Sequence, residues 1–376
     1  MNKRVAIERC SSYDGEAVYS ALKRAVELAG GLDLAGKTLL LKPNIVFDAA
    51  PEKAICTHPV FLEAAIRLVR ELGSSSIFVG DSPGIQGPGF SPKTCGIADV
   101  IKKNGAEWVD FTRGKAEVSC PDGKLAKRFT VAAHKADLII SLPKLKTHQL
   151  MYYTGAIKNI FGLIPSVTKS TFHVRYPGRE SFAAMIVDLC LAVKPAYALL
   201  DAITGMEGPG PAGGSPRQVG LVMASSNLLA IDVAAVTVMG YPPLGIPVNM
   251  DALNRGIWLS DFSEIEYPGL KPLDLRIPDY LKVPFKRKGT QLLDFILPRP
   301  IRRLKTSLTP GPEINQSLCV RCTDCIKICA SKAMSLEGGD KEGRVVINYR
   351  RCIRCYCCHE ICPVKAIEAE KRPKNR

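Results

Sequence analysis

The feature that most constrains this chain is a repeated cysteine pattern toward its C-terminal end. The stretch CVRCTDCIKICA begins at Cys319, and CIRCYCCHEICP begins at Cys352, 33 residues later, with four cysteines at the same offsets in each. Nine of the 14 cysteines lie between Cys319 and Cys362, and the other five are scattered. This is not the framework of a disulfide-rich secreted protein; it indicates a metal site in a reducing compartment.

The spacing within each run predicts the kind of metal site. Three cysteines in a C-x-x-C-x-x-C run wrap around one 4Fe–4S cluster, and the fourth, three residues later, ligates the other cluster. Zinc also uses C-x-x-C pairs, but zinc does not explain two matched four-cysteine runs. The predicted ligands are Cys319, Cys322, Cys325 and Cys362 for the first of two 4Fe–4S clusters, and Cys352, Cys355, Cys358 and Cys329 for the second.

The segment 313–376 resembles the bacterial-type two-cluster ferredoxin domain. Pro363 follows the last cysteine as in that family, whereas Ala330 stands where the first motif would have proline. The resemblance implies a small α+β domain that accepts and passes single electrons. Cys357 is a ninth cysteine between two predicted ligands. It is either a packed thiol beside a cluster or part of an altered ligand set or cluster.

The residues before this module predict a larger domain of a different kind. Between residues 1 and 282, short apolar runs bounded by glycine or proline alternate with longer amphipathic stretches. This alternation favours an α/β fold with a mostly parallel sheet covered by helices on both faces. The segment 283–312 is basic and rich in proline, and we interpret it as a linker. The predicted units are therefore 1–282, 283–312 and 313–376.

Polar side chains follow four of the predicted strands, at the edge where parallel sheets usually bind ligands. The lysines of SLPKLKTHQLMYYTGAIKNIFG stand among apolar residues. Together with a helix N-terminus at TGAIKN they are expected to bind carboxylate or phosphate. The unperturbed pKa of histidine lies near neutrality, so His148 is a candidate acid–base group, with a purely structural histidine as the alternative. The candidate catalytic residues are Lys144, Lys146, His148, Lys158, Asn159, Asp81 and Glu207.

Several blocks of this domain resemble one known family. KPNIV, THP, GDSPG, LPKLKTH, TGAIKNIFG, DAITGMEGPGP and AIDVAAVTVMG occur in the order found in the family called domain of unknown function 362. The resemblance implies a C-terminal two-cluster ferredoxin module, which members often carry. On this chain the family blocks include Lys42, Asn44, His58, Asp81, Lys144, Lys146, His148, Lys158, Asn159, Asp201, Glu207 and Asp232. We expect His58 to cap the helix that follows it and Asp232 to be structural.

The charge balance restricts the partners. Lys and Arg total 51 against 36 Asp and Glu, a formal charge of +15, which favours anionic ligands or acidic proteins. Aromatic residues make up only 7%, without basic–aromatic interleaving, so nucleic-acid binding is disfavoured. No apolar run is long enough to cross a membrane and no signal peptide is visible, so we expect a cytoplasmic protein.

Two functions remain open at this point. The first is an oxidoreductase that takes electrons from an acidic low-potential carrier, such as ferredoxin or flavodoxin. It would reduce an anionic small molecule bound in the α/β domain. The second is a non-enzymatic electron-transfer or assembly protein whose lysines face a redox partner.

Overall fold

The computed structural model of the chain describes residues 2–85, 87, 89–285, 311–339 and 343–371. Most of the predicted linker at 283–312 lies outside these residues. The described residues form two units that contact each other, which we call the body (2–285) and the module (311–371). The domain boundaries stay a prediction.

The secondary structure of the body alternates between strands and helices. Its strands are β1 (Ala6–Arg9), β2 (Thr38–Pro43), β3 (Ser76–Val79), β4 (Glu107–Trp108), β5 (Lys115–Ser119), β6 (Arg128–Ala132), β7 (Leu138–Leu142), β8 (Lys144–His148), β9 (Tyr152–Tyr153), β10 (Tyr197–Glu207) and β11 (Ser215–Ser225). Its α-helices are α1 (Gly15–Leu28), α2 (Pro59–Glu71), α3 (Ile97–Lys103), α4 (Ala156–Asn159), α5 (Ser166–Arg175), α6 (Arg179–Val193), α7 (Leu228–Val238) and α8 (Pro247–Asn254).

Helix boundaries follow local sequence signals. The side chain of Asp14 accepts a hydrogen bond from the Ala17 amide at the start of α1. His58 Nδ1 accepts one from the Val60 amide at the start of α2, so the predicted capping role of His58 is confirmed. Gly30 and Gly73 follow α1 and α2 with φ of 101° and 91°, a conformation that costs glycine little.

The main sheet of the body is mostly parallel, as predicted. Its strand order is β1-β11-β10-β7-β2-β3-β4, and β11 pairs antiparallel with both of its neighbours. Apolar side chains alternate between two cores. Leu39 and Leu41 point into the core formed with α1, α2 and α3, while Leu40 points into the core formed with α4, α6, α7 and α8. Helices therefore cover both faces, and this prediction is confirmed.

Two predicted loops are in fact strands. Lys144–His148, expected as a loop, forms β8, which continues past Pro143 and pairs in parallel with β10. Asp201 and Glu207 lie inside β10 and not after it, because this strand runs on to Glu207 through a bulge between Ala202 and Thr204. Both segments carry charged residues that are typical of loops, and the paired buried charges that make a strand possible there are visible only in the fold.

The module is a small α+β unit, as predicted. Its helices are short, and its strands form two antiparallel pairs, β12 with β15 and β13 with β14. The elements are β12 (Gly311–Ile314), α9 (Asp324–Lys327), β13 (Met334–Glu337), β14 (Arg344–Ile347), α10 (Cys357–Ile361) and β15 (Ile367–Lys371).

Candidate functional site

Strand β8 places three basic side chains on one face. Successive strand residues point to opposite sides, so Lys144, Lys146 and His148 share a side while Leu145 and Thr147 share the other. All five residues are buried. A buried lysine is stable only when its ammonium group finds partners, and the three basic residues find different ones.

Lys144 is fully compensated inside the body. Its Nζ lies 2.8 Å from Asp201 Oδ2 and donates to Tyr13 Oη at 2.5 Å. Tyr13 Oη in turn donates to Asp201 Oδ1 at 2.9 Å. Burial lowers the pKa of Lys144, and the Asp201 carboxylate opposes this shift. Lys144 is therefore a structural residue paired within the body, and it does not line the cavity described below.

Lys146 and Glu207 also lie outside that cavity. Lys146 Nζ donates to Asn44 Oδ1 and, at 2.6 Å, to the carbonyl of Ile55. Burial lowers the pKa of Lys146 to about 7. Glu207 accepts a hydrogen bond from the Leu281 amide at 3.0 Å. Sequence reasoning grouped Lys146 with His148 because the two are close along the chain, and Glu207 because it was expected in a loop at the same sheet edge. In the fold Lys146 is held by Asn44 and Ile55, and Glu207 lies at the end of β10 against Leu281.

A cavity lies between the body and the module. It holds about 800 Å³ of empty space, open solvent at its mouth included. The predicted residues that line it are Asp81, His148, Lys158 and Asn159, together with Lys42 and Asn44 from the family blocks. Lining residues that the sequence reasoning missed include Lys169 and His173 from α5, and Ile328, Glu360 and Ile361 from the module.

Lys42, Asp81 and Asn159 form a closed network at one wall. Lys42 Nζ lies 2.8 Å from Asp81 Oδ1 and 3.2 Å from Asn159 Oδ1. Asp81 Oδ2 also accepts the Ile45 amide at 2.6 Å. A Cβ atom at Gly162 would overlap both Asp81 and Lys42, so this close approach requires glycine there. The network fixes the wall and leaves its charges balanced.

His148 has a defined tautomer. Its Nδ1 accepts the amides of Leu150 at 3.1 Å and Met151 at 3.3 Å, so the single proton of the neutral ring is on Nε2. Nε2 lies 3.3 Å from Oε1 of Glu360 in the module. Burial lowers the pKa of His148 well below its ordinary value, and the charge of Lys158 adds to this. The imidazole is therefore neutral and presents an N–H group at the junction of the two units.

Two lysines at the cavity lack a carboxylate of their own. Lys158 Nζ has no ion pair within the described part of the chain. Burial lowers its pKa, and the Glu360 carboxylate opposes the shift. Lys169 Nζ donates to the carbonyl of Ser82, and burial lowers its pKa to about 7. Glu360 Oε1 is itself buried and has no hydrogen-bond partner among the described residues. Unsatisfied groups of both signs at one cavity indicate a place for a ligand.

A weak sequence signal could have identified the missed residues of α5. Lys169 and His173 are four residues apart, so they share one face of a helix. His173 stacks on Phe182 with ring centroids 4.2 Å apart, and burial lowers its pKa to about 3. No sequence signal marked Glu360 as a cavity residue. It lies between Cys358 and Cys362, and the cysteine motif accounted for that whole stretch.

The predicted anion site at the N-terminus of α4 is wrong. The amides of Ala156 and Ile157 donate to the carboxylate of Asp232, at 2.5 and 3.1 Å. Burial raises the pKa of Asp232 to about 7. The expected donors for an anion are therefore already used by a side chain from α7, which could not be foreseen from a residue 76 positions away.

The cysteines of the module group as the spacing suggests. Cys352, Cys355, Cys358 and Cys329 all line one small cavity, with about 340 Å³ of empty space. In the other set, burial raises the pKa of Cys325 to about 11, and Cys322, Cys319 and Cys362 are close enough to add to this shift. The set of ligands stays a prediction.

Four cysteines of the second set line one cavity, which is the donor set that a 4Fe–4S cluster requires. Four thiolates around one zinc ion, with Zn–S near 2.3 Å, would lie about 3.8 Å apart. Among the described residues no three His, Cys, Asp or Glu side chains lie close enough to hold one metal ion. In a 4Fe–4S cluster each cysteine binds a different iron, so wider spacing is expected. The residues present therefore fit the cluster that the spacing predicts.

The sequence repeat is also a backbone repeat. Residues with positive φ recur 33 positions apart, which turns the chain tightly around each cysteine set. These pairs are Arg321 and Arg354, Thr323 and Tyr356, and Lys332 and Lys365. The amides of Ala333 and Ala366 donate to Cys329 Sγ and Cys362 Sγ, both at 3.2 Å. Hydrogen bonds of this kind to ligand sulfurs adjust the reduction potential of a cluster.

The module is held against the body by hydrogen bonds. His359 Nε2 lies 3.0 Å from the carbonyl of Pro209, and Lys365 Nζ donates to the carbonyl of Gly214 at 3.0 Å. A Cβ atom at Gly213 would meet the His359 ring at 2.7 Å, so glycine allows this approach. None of the helices that the structure describes is long and apolar enough to cross a membrane.

Comparisons with known proteins agree with this architecture. A family model described as domain of unknown function (DUF362) matches residues 39–237, and a 4Fe–4S dicluster domain matches residues 318–366. A thylakoid-associated protein of Synechocystis is 31% identical over 307 residues, covering 80% of this chain and 93% of that protein.

A solved structure from Thermotoga maritima is more distant. It is 14% identical, covers 56% of this chain and 55% of its own length, and has a TM-score of 0.34. The chain thus spans about half the length of that protein, and a likeness at this level does not establish a shared fold or function.

The dicluster match confirms 4Fe–4S binding and an iron–sulfur protein of the electron-transfer class, while the number of clusters stays a prediction. The chain belongs to the DUF362 family and carries a 4Fe–4S dicluster domain in its C-terminal part.

Proposed function

We propose that this protein is a ferredoxin-linked oxidoreductase that reduces an anionic small molecule in the cavity between body and module. Eight cysteines would hold two 4Fe–4S clusters, in the sets Cys319, Cys322, Cys325, Cys362 and Cys352, Cys355, Cys358, Cys329. The clusters, when bound, supply electrons one at a time.

The observation that carries the proposal is the position of Cys357. This residue lines both the cavity of the second cysteine set and the cavity between the two units. One side chain would therefore separate a molecule bound in the cavity from the second cluster. Electron transfer falls off steeply with distance, so a ligand in the cavity would lie where electrons can reach it.

The charges of the cavity support an anionic substrate. Lys42 is neutralised by Asp81 at 2.8 Å, which leaves two ammonium groups, Lys158 and Lys169, against the single carboxylate of Glu360. Both lysines are half-buried and neither has a carboxylate within ion-pair distance among the described residues, which makes their charges costly. A carboxylate or phosphate group would relieve that cost and make charge-assisted hydrogen bonds.

The side chains suggest how protons would be handled. A reducible compound X would take two electrons and two protons to give XH₂, with the electrons coming from two molecules of a reduced low-potential carrier. His148 is neutral and its one proton is on Nε2, so it suits donation of a hydrogen bond to X. Lys169, with a pKa of about 7, is better matched to proton donation at neutral pH and would recover its proton from water. This revises the expectation that His148 is the proton source.

The alternative is an electron-transfer or assembly protein without a substrate of its own. In that interpretation Lys144 and Lys146 would contact a partner. They are 1% and 0% exposed, so they are not available on a surface, and the interpretation loses its main support. The acidic carrier, such as ferredoxin or flavodoxin, and the cytoplasmic location remain proposals. The name of the Synechocystis relative describes only that protein.

The test is reoxidation of the reduced protein. Clusters reduced anaerobically with dithionite, after removal of excess reductant, would be mixed with a panel of anionic oxidants such as unsaturated carboxylates and carboxylated quinones. We expect at least one to restore the cluster absorbance in the unaltered chain and to react much more slowly with Lys158→Met. Lys102→Met, at an exposed position on α3, is the matched control. If no compound in a broad panel is reduced, or both variants react alike, the proposal fails.

A further inference from the structure

Three apolar side chains near cysteines of the first predicted ligand set are exposed. Leu318, Val320 and Val364 are 52%, 60% and 37% exposed, and we call them the Val320 patch. The segments that carry them are adjacent, because the Asn315 amide donates to the carbonyl of Ala366 at 2.7 Å. The patch therefore flanks Cys319 and Cys362 of the first predicted ligand set. Cys322 is itself exposed.

The second motif differs at the equivalent positions. Counting back and forward by 33 residues, Leu318 corresponds to Arg351, Val320 to Ile353 and Val364 to Ser331. Arg351 is charged, and Ile353 and Ser331 are half-buried. The residue equivalent to the exposed Cys322 is Cys355, which is half-buried. An apolar exposed rim is thus a property of the first motif and not of the repeat.

The contacts between the module and the body show which side of the module is covered. Helix α10 of the second motif packs toward the body, where Cys357 and Glu360 line the cavity and His359 contacts Pro209. A protein carrier cannot approach through that interface. The Val320 patch and Cys322, next to or within the first ligand set, are exposed instead.

We propose that the Val320 patch is the docking surface of an acidic one-electron carrier protein, and that electrons enter at the first cluster and leave through the second. The inference rests on the ligand sets of the proposed function. The exposed Arg321 stands beside Val320, so positive charge flanks the apolar patch on a chain with a formal charge of +15. An apolar centre with a charged rim is the usual composition of such interfaces. In each transfer the carrier loses one electron and the first cluster gains it, with no proton or atom exchanged.

The experiment measures how fast two reductants reduce the full, iron-loaded chain in an anaerobic stopped-flow instrument. The probes are a reduced acidic flavodoxin, which must dock, and dithionite, which is small. We expect Val320→Glu to lower the second-order rate constant with flavodoxin at least tenfold and to leave the rate with dithionite unchanged. Val320→Lys should retain or increase the flavodoxin rate at low salt, and added salt should slow the unaltered chain.

The matched control is Leu273→Glu, which places the same charge at a residue of the body that is 72% exposed. Equal slowing by this control, or an unchanged flavodoxin rate in Val320→Glu, overturns the docking surface. If Val320→Glu fails to load iron, the other two measurements decide. A flavodoxin rate that falls in Val320→Lys at low salt, or that added salt does not slow in the unaltered chain, overturns the docking surface. Reoxidation by anionic oxidants is measured separately after dithionite reduction, so a failure of docking and a failure of the proposed function give different results.

Discussion

Two groups of lysines in the body illustrate different uses of a buried ammonium. Lys144 on β8 meets Asp201 at 2.8 Å and Tyr13 at 2.5 Å, within one unit of the fold. Lys158 and Lys169 are half-buried at the cavity between two units, where the nearby carboxylates are Glu360 and Asp81, and Asp81 is already paired with Lys42. A compensated charge holds structure together, whereas an uncompensated one is maintained only where something else is bound.

The largest expected difference between the two groups of lysines is in the stability of their Met variants. Lys144→Met leaves the Asp201 carboxylate buried without its ion-pair partner, so we expect the free energy of unfolding to fall by about 3–5 kcal/mol. Lys158→Met removes a charge that lacks an ion pair, so the free energy of unfolding should stay the same or rise slightly. Urea denaturation followed by tryptophan fluorescence measures both. Equal losses in the two variants would contradict the comparison.

The next effect is on ligand binding. Lys158→Met should weaken binding of an anionic substrate by about 10- to 100-fold, because a hydrogen bond to a charged group contributes roughly 1.5–3 kcal/mol. The measurement is a titration of the oxidised, iron-loaded chain with the oxidant identified by reoxidation. Lys102→Met should bind as the unaltered chain does. An unchanged affinity in Lys158→Met would place the anion elsewhere.

A smaller effect concerns pH and Lys169. The pKa of Lys169 is lowered to about 7 by burial, and the groups that face it are Asp81, Lys42, Lys158 and Glu360. An anion binds the ammonium form, so affinity should be constant below pH 7 and fall by up to about tenfold per unit above it. Binding near pH 7 should also take up protons.

The control for this pH dependence is Lys169→Met. This variant should bind more weakly and lose the decline above pH 7, whereas the unaltered chain should retain it. Affinities measured from pH 6 to 9 in buffers with different ionisation enthalpies give both the profile and the proton uptake. A profile that declines equally in both proteins would assign the titration to another group.

The smallest expected effect concerns Cys357, which lines both the cavity between the units and the cavity of the second cysteine set. Its thiol donates to the sulfur of Cys355, and such hydrogen bonds favour the reduced cluster. Cys357→Ala should therefore leave the iron content unchanged and lower the reduction potential of the second cluster by roughly 20 mV, from a weak bond of about 0.5 kcal/mol. Cys190→Ala, at a buried thiol on α6 of the body, is the control. Loss of iron in Cys357→Ala would instead make this residue a ligand.

The sequence determined the parts of this protein that depend on local spacing. The cysteine offsets recur as left-handed backbone positions at Arg321 and Arg354, because the turns between ligands are set by a few neighbouring residues. The order of strands and helices followed from apolar periodicity, and the cap at His58 followed from a Thr-His-Pro stretch before an amphipathic run. Each of these features involves residues close in the chain, whose geometry is fixed by the backbone itself.

Only the tertiary structure decided which charges are paired and which face the cavity. Lys144 and Lys158 look alike in the sequence, yet Asp201 neutralises the first from 57 positions away, while the second lies opposite Glu360 of another unit. Asp232 likewise takes the amides of α4 that seemed free. The reason is that the energy of a buried charge depends on its partners in space, and the partners here come from strands and helices that the fold, and not the order of residues, brings together.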